Sequence, residues 1–490
     1  MHGSAPLIMI DCPAQVISTA ASKEVGLKTI YHVCVPNTSR DFFDYYAETD
    51  VPCIGARVWV PFRNQTRLGL VVAESQTDSV SAKLKSIATI IDEKPVLSAE
   101  MLVLCQWVSH YYQSPLSEVI PLALPKKYRQ GAPCQPPLCP HYYLNRPAAE
   151  AHALLPATAH RQHALVDFFA SQALPLSKKA LSQAGFKTAQ LDALLAGGLL
   201  ASREQVACPV AAQGARCAPL PLNDEQAIAV DTISAHLQSY RCFLLQGVTG
   251  SGKTEVYLHL IAEVLAAGQQ VLVLVPEIGL TPQLLARFSA RFHEPMAVIH
   301  SHLNDTERQR AWQLASDKVV KLVIGTRAAI FTPMPALGLI IIDEEHDASL
   351  KQMDGVRYSA RDTALMRAHA ANIPIILGSA TPSLESMHNC ALKKYHLLRL
   401  TQKALTSTPL HYQIVDIRNQ PLQHGLAHTT LLQISEHLQQ QNQVLVFINR
   451  RGFAPVLLCH QCGWMADCRA CDSHLTLHRV AGRLVCHHCG

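Results

Sequence analysis

Residues 241–277 read RCFLLQGVTGSGKTEVYLHLIAEVLAAGQQVLVLVPE, and no other stretch limits the fold as tightly. An apolar run leads into a glycine-rich turn, an amphipathic stretch and a second apolar run, the pattern of strand, helix and strand. Strands joined through a helix lie parallel and need covering on both faces, so the surrounding fold is an α/β layer structure. Within the turn, Gly247–Thr254 fits G-x-x-x-x-G-K-T. Backbone N–H groups of Gly247, Val248, Thr249, Gly250, Ser251 and Gly252 would wrap phosphate oxygens at a helix N-terminus. Lys253 would reach the β and γ phosphates, and Thr254 would ligate Mg²⁺.

A phosphate cradle specifies a nucleotide without specifying a reaction. The carboxylates that follow narrow the chemistry. LGLIIIDEEH, ending at residue 346, reads as a buried strand that delivers Asp343, Glu344, Glu345 and His346 at its C-terminal end, where α/β sheets place ligands. Asp343 is positioned to hold Mg²⁺ and Glu344 to orient or deprotonate an attacking water. KLVIGTRAAIF from residue 321, IPIILGSATPSLES from 373 and QVLVFINRRGFAP from 443 repeat the rhythm. They imply a doubly wound parallel sheet with Thr326, Arg327, Ser379, Thr381, Asn449 and Arg450 along one rim.

With 490 residues the chain exceeds a single core, and a length prior gives about three domains. A net charge of +5 permits nucleic-acid binding without arguing for it. Apolar runs such as 271–275 and 339–342 have strand length and end in polar residues, so no membrane-spanning helix is expected. The first ten residues lack a Lys or Arg ahead of their apolar run, which argues against a signal peptide. Of 16 cysteines, those outside the C-terminal region are scattered singly among apolar residues, as reduced core cysteines in a cytoplasmic chain would be.

The remaining six form three Cys-x-x-Cys pairs: Cys459 with Cys462, Cys468 with Cys471, and Cys486 with Cys489. Two pairs complete a tetrahedral zinc site, so three pairs fill one site and leave one pair over. His460, His474, His478, His487 and His488 are further candidate ligands, and disulfides are the alternative use of these thiols.

GVTGSGKTE, LVPEIGLTPQ, GTRAAIF, DEEH and GSATPSLES, in this order, resemble the first RecA-like lobe of superfamily 2 helicases. DEEHD followed by KQMDGVRYSARD, and FINRRGFAPVLLC running into paired cysteines, resemble more closely the bacterial primosomal replication-restart helicases, the PriA family. The resemblance implies an N-terminal extension over 1–30 and a small β-rich domain over 31–130 that binds a DNA 3′ end. It further implies a winged helix over 133–218, helicase lobe 1 over 219–405, and the start of lobe 2 with a zinc insert over 406–490. The first strand of that lobe is expected at 444–448, with the chain a truncated form of the family protein. By the same resemblance Gln226 reads adenine, and Ser379 and Thr381 couple hydrolysis to DNA movement. Phe43, Asp44 and Tyr45 would line the 3′-end pocket, Asp44 facing the sugar hydroxyl, with Gly55 permitting close backbone approach. Residues 348–362 correspond to an aromatic loop that senses single-stranded DNA; Leu350 and Val356 stand where the family carries aromatics, leaving Tyr358 with the phosphate contacts Lys351, Arg357 and Arg361. Cys468, Cys471, Cys486 and Cys489 would share one Zn²⁺, and Cys459 and Cys462 would bind another.

The implied function is ATP-dependent 3′-to-5′ unwinding at abandoned replication forks and primosome assembly. The implied partners are recessed 3′ ends, single-stranded DNA, single-stranded DNA-binding protein and helicase-loading proteins on the nucleoid. The alternative is a DNA- and ATP-binding module without unwinding.

Overall fold

The structure, a computed structural model, describes residues 28–48, 50–77, 84–135, 138–171, 175–206, 218–404, 411–418, 420–447, 457–459, 461–478, 483–486 and 488–489. Two compact units result, Met1–Thr406 and Ser407–Gly490.

The first unit opens with strands β1 (Lys28–Cys34), β2 (Phe43–Tyr46), β3 (Arg57–Phe62), β4 (Gln65–Thr77), β5 (Lys85–Ser86) and β6 (Thr89–Ile90). They form one sheet in the order β5-β2-β1-β4-β3-β6. Alternation along the strands divides its faces: Tyr31, Val33, Tyr45, Val58, Val60 and Val71 make a small core. Helices α1 (Ala99–Tyr111), α2 (Leu116–Ala123) and α3 (Lys126–Arg129) follow, α1 starting where the Ser98 side chain accepts the Met101 N–H. Arg57 is fully buried and makes a two-pronged bond to Asp92, with Nε to Oδ2 and Nη2 to Oδ1 both at 2.7 Å. Its Nη1 donates to the carbonyls of Tyr128 and Ala132, so one guanidinium ties the sheet to the chain that leaves it.

Strands β7 (Leu138–Leu144), β8 (Leu176–Ser177) and β9 (Leu200–Val206) make an antiparallel sheet in the order β8-β7-β9. It is packed by α4 (Ala148–Ala153), α5 (His160–Ala170), α6 (Lys178–Gln183) and α7 (Thr188–Ala196) around Leu165, Phe169, Leu181, Leu191 and Leu194. The turn between α6 and α7 falls at residues 184–187. A helix-turn-helix backed by a three-stranded sheet is the arrangement of a winged helix.

The large sheet comprises β10 (Cys242–Gly247), β11 (Gln270–Leu274), β12 (Met296–Ile299), β13 (Leu322–Gly325), β14 (Leu337–Ile342), β15 (Ile375–Ser379) and β16 (His396–Leu400). All pairings are parallel, in the order β12-β13-β11-β14-β15-β10-β16. Its covering helices are α8 (Asp224–Ser234), α9 (Lys253–Ala266), α10 (Pro282–Arg291), α11 (Asp305–Ser316), α12 (Ala360–Ala370) and α13 (Leu384–Ala391). Residues of β10 and β11 alternate between two apolar clusters, which is why these strands read as continuous apolar runs. Contacts of α2 and α3 with α11 join this layer to the N-terminal module: Trp312 Nε1 donates to the Ala123 carbonyl at 2.8 Å, and the Tyr128 hydroxyl to Gln313 Oε1 at 2.5 Å. No helix among the described residues is long and apolar enough to cross a membrane.

The second unit holds a two-stranded pairing of β17 (Leu422–Gln423) with β18 (Leu426–Ala427), helix α14 (His428–Gln439), and a hairpin of β19 (Thr476–His478) with β20 (Arg483–Val485). The strand expected at 444–448 is corrected: residues 443–447 form none, Leu445 is 92% exposed, and Ile448 lies outside the described residues. Apolar alternation makes a strand only where a neighbouring edge supplies hydrogen bonds, and none pairs with this run among the described residues.

Candidate nucleotide, metal and DNA sites

The glycine-rich turn leaves β10 and enters α9 at Lys253. Lys253 Nζ donates to the Gly247 carbonyl at 2.9 Å, which folds its ammonium over the turn. Ser251 Oγ is buried without a hydrogen-bond partner among the described residues. A phosphate oxygen would satisfy it, and on this observation the turn fits a nucleotide. Gln226 is buried with Nε2 donating to the Ser251 carbonyl at 2.8 Å and Oε1 accepting the Asn223 N–H at 3.0 Å, inside a capping box that starts α8. One amide hydrogen and one lone pair of Gln226 are left for a base.

Asp343, Glu344 and Glu345 leave the end of β14 in three directions because Glu344 adopts a left-handed backbone, with φ of +47°. Such a conformation is rare for a residue with a Cβ and is a form of strain common at functional sites. Asp343 turns inward, where Oδ1 accepts the Tyr257 hydroxyl at 3.0 Å. Burial, and then the neighbouring Glu344 charge, push its carboxyl above the usual range. A buried carboxyl held in this way gains most from a nearby cation, so the donor set fits Mg²⁺. Glu344 is half exposed and lies 3.6 Å from His346. His346 in turn reaches Ser379 Oγ at 2.7 Å and Thr381 Oγ1 at 3.4 Å, which links the ends of β14 and β15.

Glu345 is buried and accepts from Ser383 N at 2.7 Å, Ser386 Oγ at 2.9 Å and Arg361 Nη1 at 3.0 Å. Sequence reasoning gave Glu345 no role and made Arg361 a phosphate contact; the structure makes Arg361 an internal clamp on Glu345 that also bonds Ser383 Oγ at 2.9 Å. Tyr358 is corrected as well. It is 2% exposed and packs edge-on against Phe331 at 5.0 Å, so it offers no face for stacking. Leu350 and Val356 are buried beside it, anchoring the hairpin whose Lys351 and Ser359 pair, while Lys351 and Arg357 remain exposed. Asn449 and Arg450 lie outside the described residues.

In the small sheet only Asp44 of the expected pocket faces outward, with Oδ1 2.7 Å from His32 Nδ1. Tyr45 is core, its hydroxyl donating to the Pro61 carbonyl, and Phe43 packs edge-on against Phe62 at 5.0 Å. Period-two alternation puts residues 43 and 45 on the face opposite residue 44. Gly55, with φ of +89°, is corrected too: a Cβ there would meet the Leu97 carbonyl at 2.2 Å, so the close approach is by the chain's own backbone. The structure adds His32 and Phe42, whose rings lie 4.6 Å apart. Phe42 also lines a cavity of 470 Å³ with Asp41, Ala73, Gln106 and His110. No local motif marks His32; only the strand register brings it opposite Asp44 and Ala73.

In the second unit the Sγ atoms of Cys468, Cys471, Cys486 and Cys489 all lie within 4.8 Å of one another, with 468 to 489 at 3.4 Å and 471 to 486 at 3.5 Å. Zn–S bonds of about 2.3 Å in a tetrahedron give S–S edges near 3.8 Å, so the four thiols fit Zn²⁺. The N–H groups of Cys489 and His488 point at Cys486 Sγ and hold that thiol below its ordinary value. Cys459 and Cys462 stand outside this cluster among the described residues, on a turn where Cys459 N–H donates to the Trp464 carbonyl at 2.7 Å. His474 is engaged by Asp467 at 2.7 Å, while His460, His487 and the side chain of His478 lie outside the described residues.

A parallel sheet with a phosphate-binding turn, a DEEH strand end and a coupled Ser-x-Thr strand end defines the P-loop helicase class. Residues 223–390 match the DEAD/DEAH box helicase model, residues 32–125 the 3′DNA-binding domain (3′BD) of PriA, and residues 468–490 the PriA DNA helicase Cys-rich region domain. The chain is 41% identical over 459 residues to replication restart protein PriA of Haemophilus influenzae, covering 91% of this chain and 62% of that one. With PriA of Bacillus subtilis it shares 33% over 511 residues, covering 89% and 63%. Among solved structures, RecG bound to a three-way DNA junction overlaps 46% of this chain and 28% of that one, at 23% identity and a TM-score of 0.32. The chain belongs to the replication restart protein PriA family, and it spans about three fifths of the length of these curated relatives.

Proposed function

We propose that this chain carries the fork-binding and ATP-binding parts of a DNA helicase that moves 3′ to 5′ and restarts replication at abandoned forks. The observation that carries the reading is the convergence of Lys253 and Asp343 at the C-terminal ends of β10 and β14, on either side of β15. In this reading Gly247–Thr254 binds the ATP phosphates, Gln226 contacts the base, and Thr254 and Asp343 hold Mg²⁺. The cation, when bound, would neutralise charge on the phosphate oxygens. Glu344, held outward by its left-handed backbone, orients or deprotonates the attacking water. His346, Ser379 and Thr381 carry the change in phosphate state to the DNA-facing rim. Asp44, with His32 and Phe42 beside it, receives a recessed DNA 3′ end, its carboxylate accepting from the sugar hydroxyl. Lys351 and Arg357 contact phosphates, and the helix-turn-helix of α6 and α7 contacts duplex. The four-cysteine cluster holds structural Zn²⁺, and Cys459 with Cys462 serves a second zinc. Single-stranded DNA-binding protein and primosome-loading proteins are the protein partners, in the cytoplasm at the nucleoid.

DNA-stimulated ATP hydrolysis tests this. Hydrolysis abolished by Lys253→Ala supports it, and hydrolysis unaffected by that substitution overturns the assignment. The second reading, binding without unwinding, is favoured by the second unit, whose described residues contain no parallel sheet. It holds if the chain binds both ligands yet neither hydrolyses ATP nor separates strands.

A further inference from the structure

Helix α1 carries Val103, Trp107 and Tyr111 at intervals of four, which places them along one side. The side is open: Val103 is 43% and Tyr111 58% exposed. Trp107 and Tyr111 are stacked face to face, with centroids 4.7 Å apart and planes 16° apart, and Tyr112 stands edge-on to both. Lys351, from the hairpin after DEEH, places its ammonium 4.8 Å from the centre of the Tyr112 ring. Arg327 fixes that hairpin by donating to the carbonyls of Ser349 and Lys351, at 2.8 and 2.9 Å. The cluster is therefore built from two elements and held in place.

An aromatic stack ending in an exposed ring is an expensive surface to leave in water, and its chemistry suits a flat π system. Charge points the same way. Residues 101–117 contain no Asp or Glu, the Asp362 carboxylate that accepts the Tyr112 hydroxyl at 3.4 Å is paired with Arg361, and Lys351 supplies a cation over the Tyr112 ring. Exposed rings beside a lysine are what an unpaired strand uses, bases stacking on the rings while phosphates meet the cation. The stack also replaces what the hairpin lacks, since Leu350, Val356 and Tyr358 all point into the core.

We propose that Trp107, Tyr111 and Tyr112 of α1, with Lys351, form a stacking platform for a base of single-stranded DNA. The inference deepens the DNA-binding reading above and rests on it. The platform supplies the aromatic face, and the hairpin that follows DEEH supplies the charge. The hairpin runs directly into α12, whose Arg361 is bonded to Glu345 of the carboxylate cluster.

The test is binding of fluorescent oligothymidylate to the full chain by anisotropy, beside a blunt duplex, which presents a paired 3′ end and no single-stranded overhang. Tyr111→Ala is expected to weaken oligothymidylate binding roughly 5- to 150-fold, the range for loss of one stacked base. Tyr111→Phe, which keeps the ring, should bind like the parent, and Lys351→Ala should reduce the salt slope by about one counterion. Binding of the blunt duplex should follow Asp44→Ala and not Tyr111→Ala. Circular dichroism of Tyr111→Ala should match the parent, because the ring is exposed. Oligothymidylate binding unchanged in Tyr111→Ala overturns the platform while leaving the DNA reading intact. Loss of binding by the parent chain to both DNAs would overturn the two together, and equal loss in Tyr111→Phe and Tyr111→Ala would refute stacking as the cause.

Discussion

The Tyr257 hydroxyl, on the helix that begins with Lys253, donates to Oδ1 of Asp343 at 3.0 Å. Tyr257 reaches Asp343 because the intervening strand β15 carries Gly378 at that level, where a Cβ would stand 1.6 Å from the hydroxyl. The bond leaves Oδ2 of Asp343 to face a cation. A hydrogen bond to a charged group contributes about 1.5–3 kcal/mol. Tyr257→Phe is expected to weaken Mn²⁺ binding in the presence of ADP by about tenfold or more, read by electron paramagnetic resonance. ADP binding in EDTA should be unchanged.

Glu345 and Arg361 form a nearly closed ion pair, with the carboxylate fully shielded and two serines completing its bonds. Removing one partner of such a pair leaves a buried charge, at a cost of about 3–5 kcal/mol. Arg361→Ala should therefore lower the thermal midpoint of the larger unit markedly in calorimetry. The salt dependence of DNA binding should stay the same, whereas a phosphate contact would reduce its slope.

Burial pushes the thiols of Cys34 and Cys105 up to about 12, from an ordinary value of 9.0. The folded state favours the neutral thiol, so this contribution to stability is complete below pH 9 and lost as pH rises from 9 towards 12. Urea unfolding should show stability falling between pH 9 and 11, and Cys105→Ala should flatten that fall.

Zinc analysis provides a separate check on the second unit. Cys471→Ser should remove one equivalent of bound zinc. Because structural zinc contributes folding energy directly, residues 407–490 should become sensitive to limited proteolysis on chelation.

The sequence by itself determined the parts that depend on local order. Glycine spacing placed the turn between β10 and α9, apolar runs ending in Asp343 and Ser379 placed the parallel strands, and paired cysteines placed the four-thiol cluster, because each device is built from neighbouring residues. Tertiary structure decided which way the side chains of ambiguous segments point. FFDYY and the hairpin at 351–359 read as sites, yet pleat and packing turn Tyr45 and Tyr358 into core and leave Asp44 and Lys351 outside. It also decided every partnership between distant residues: Tyr257 with Asp343, Arg361 with Glu345, Arg57 with Asp92, and Lys351 with Tyr112. Such pairs are set by strand order and helix packing, which no local pattern encodes.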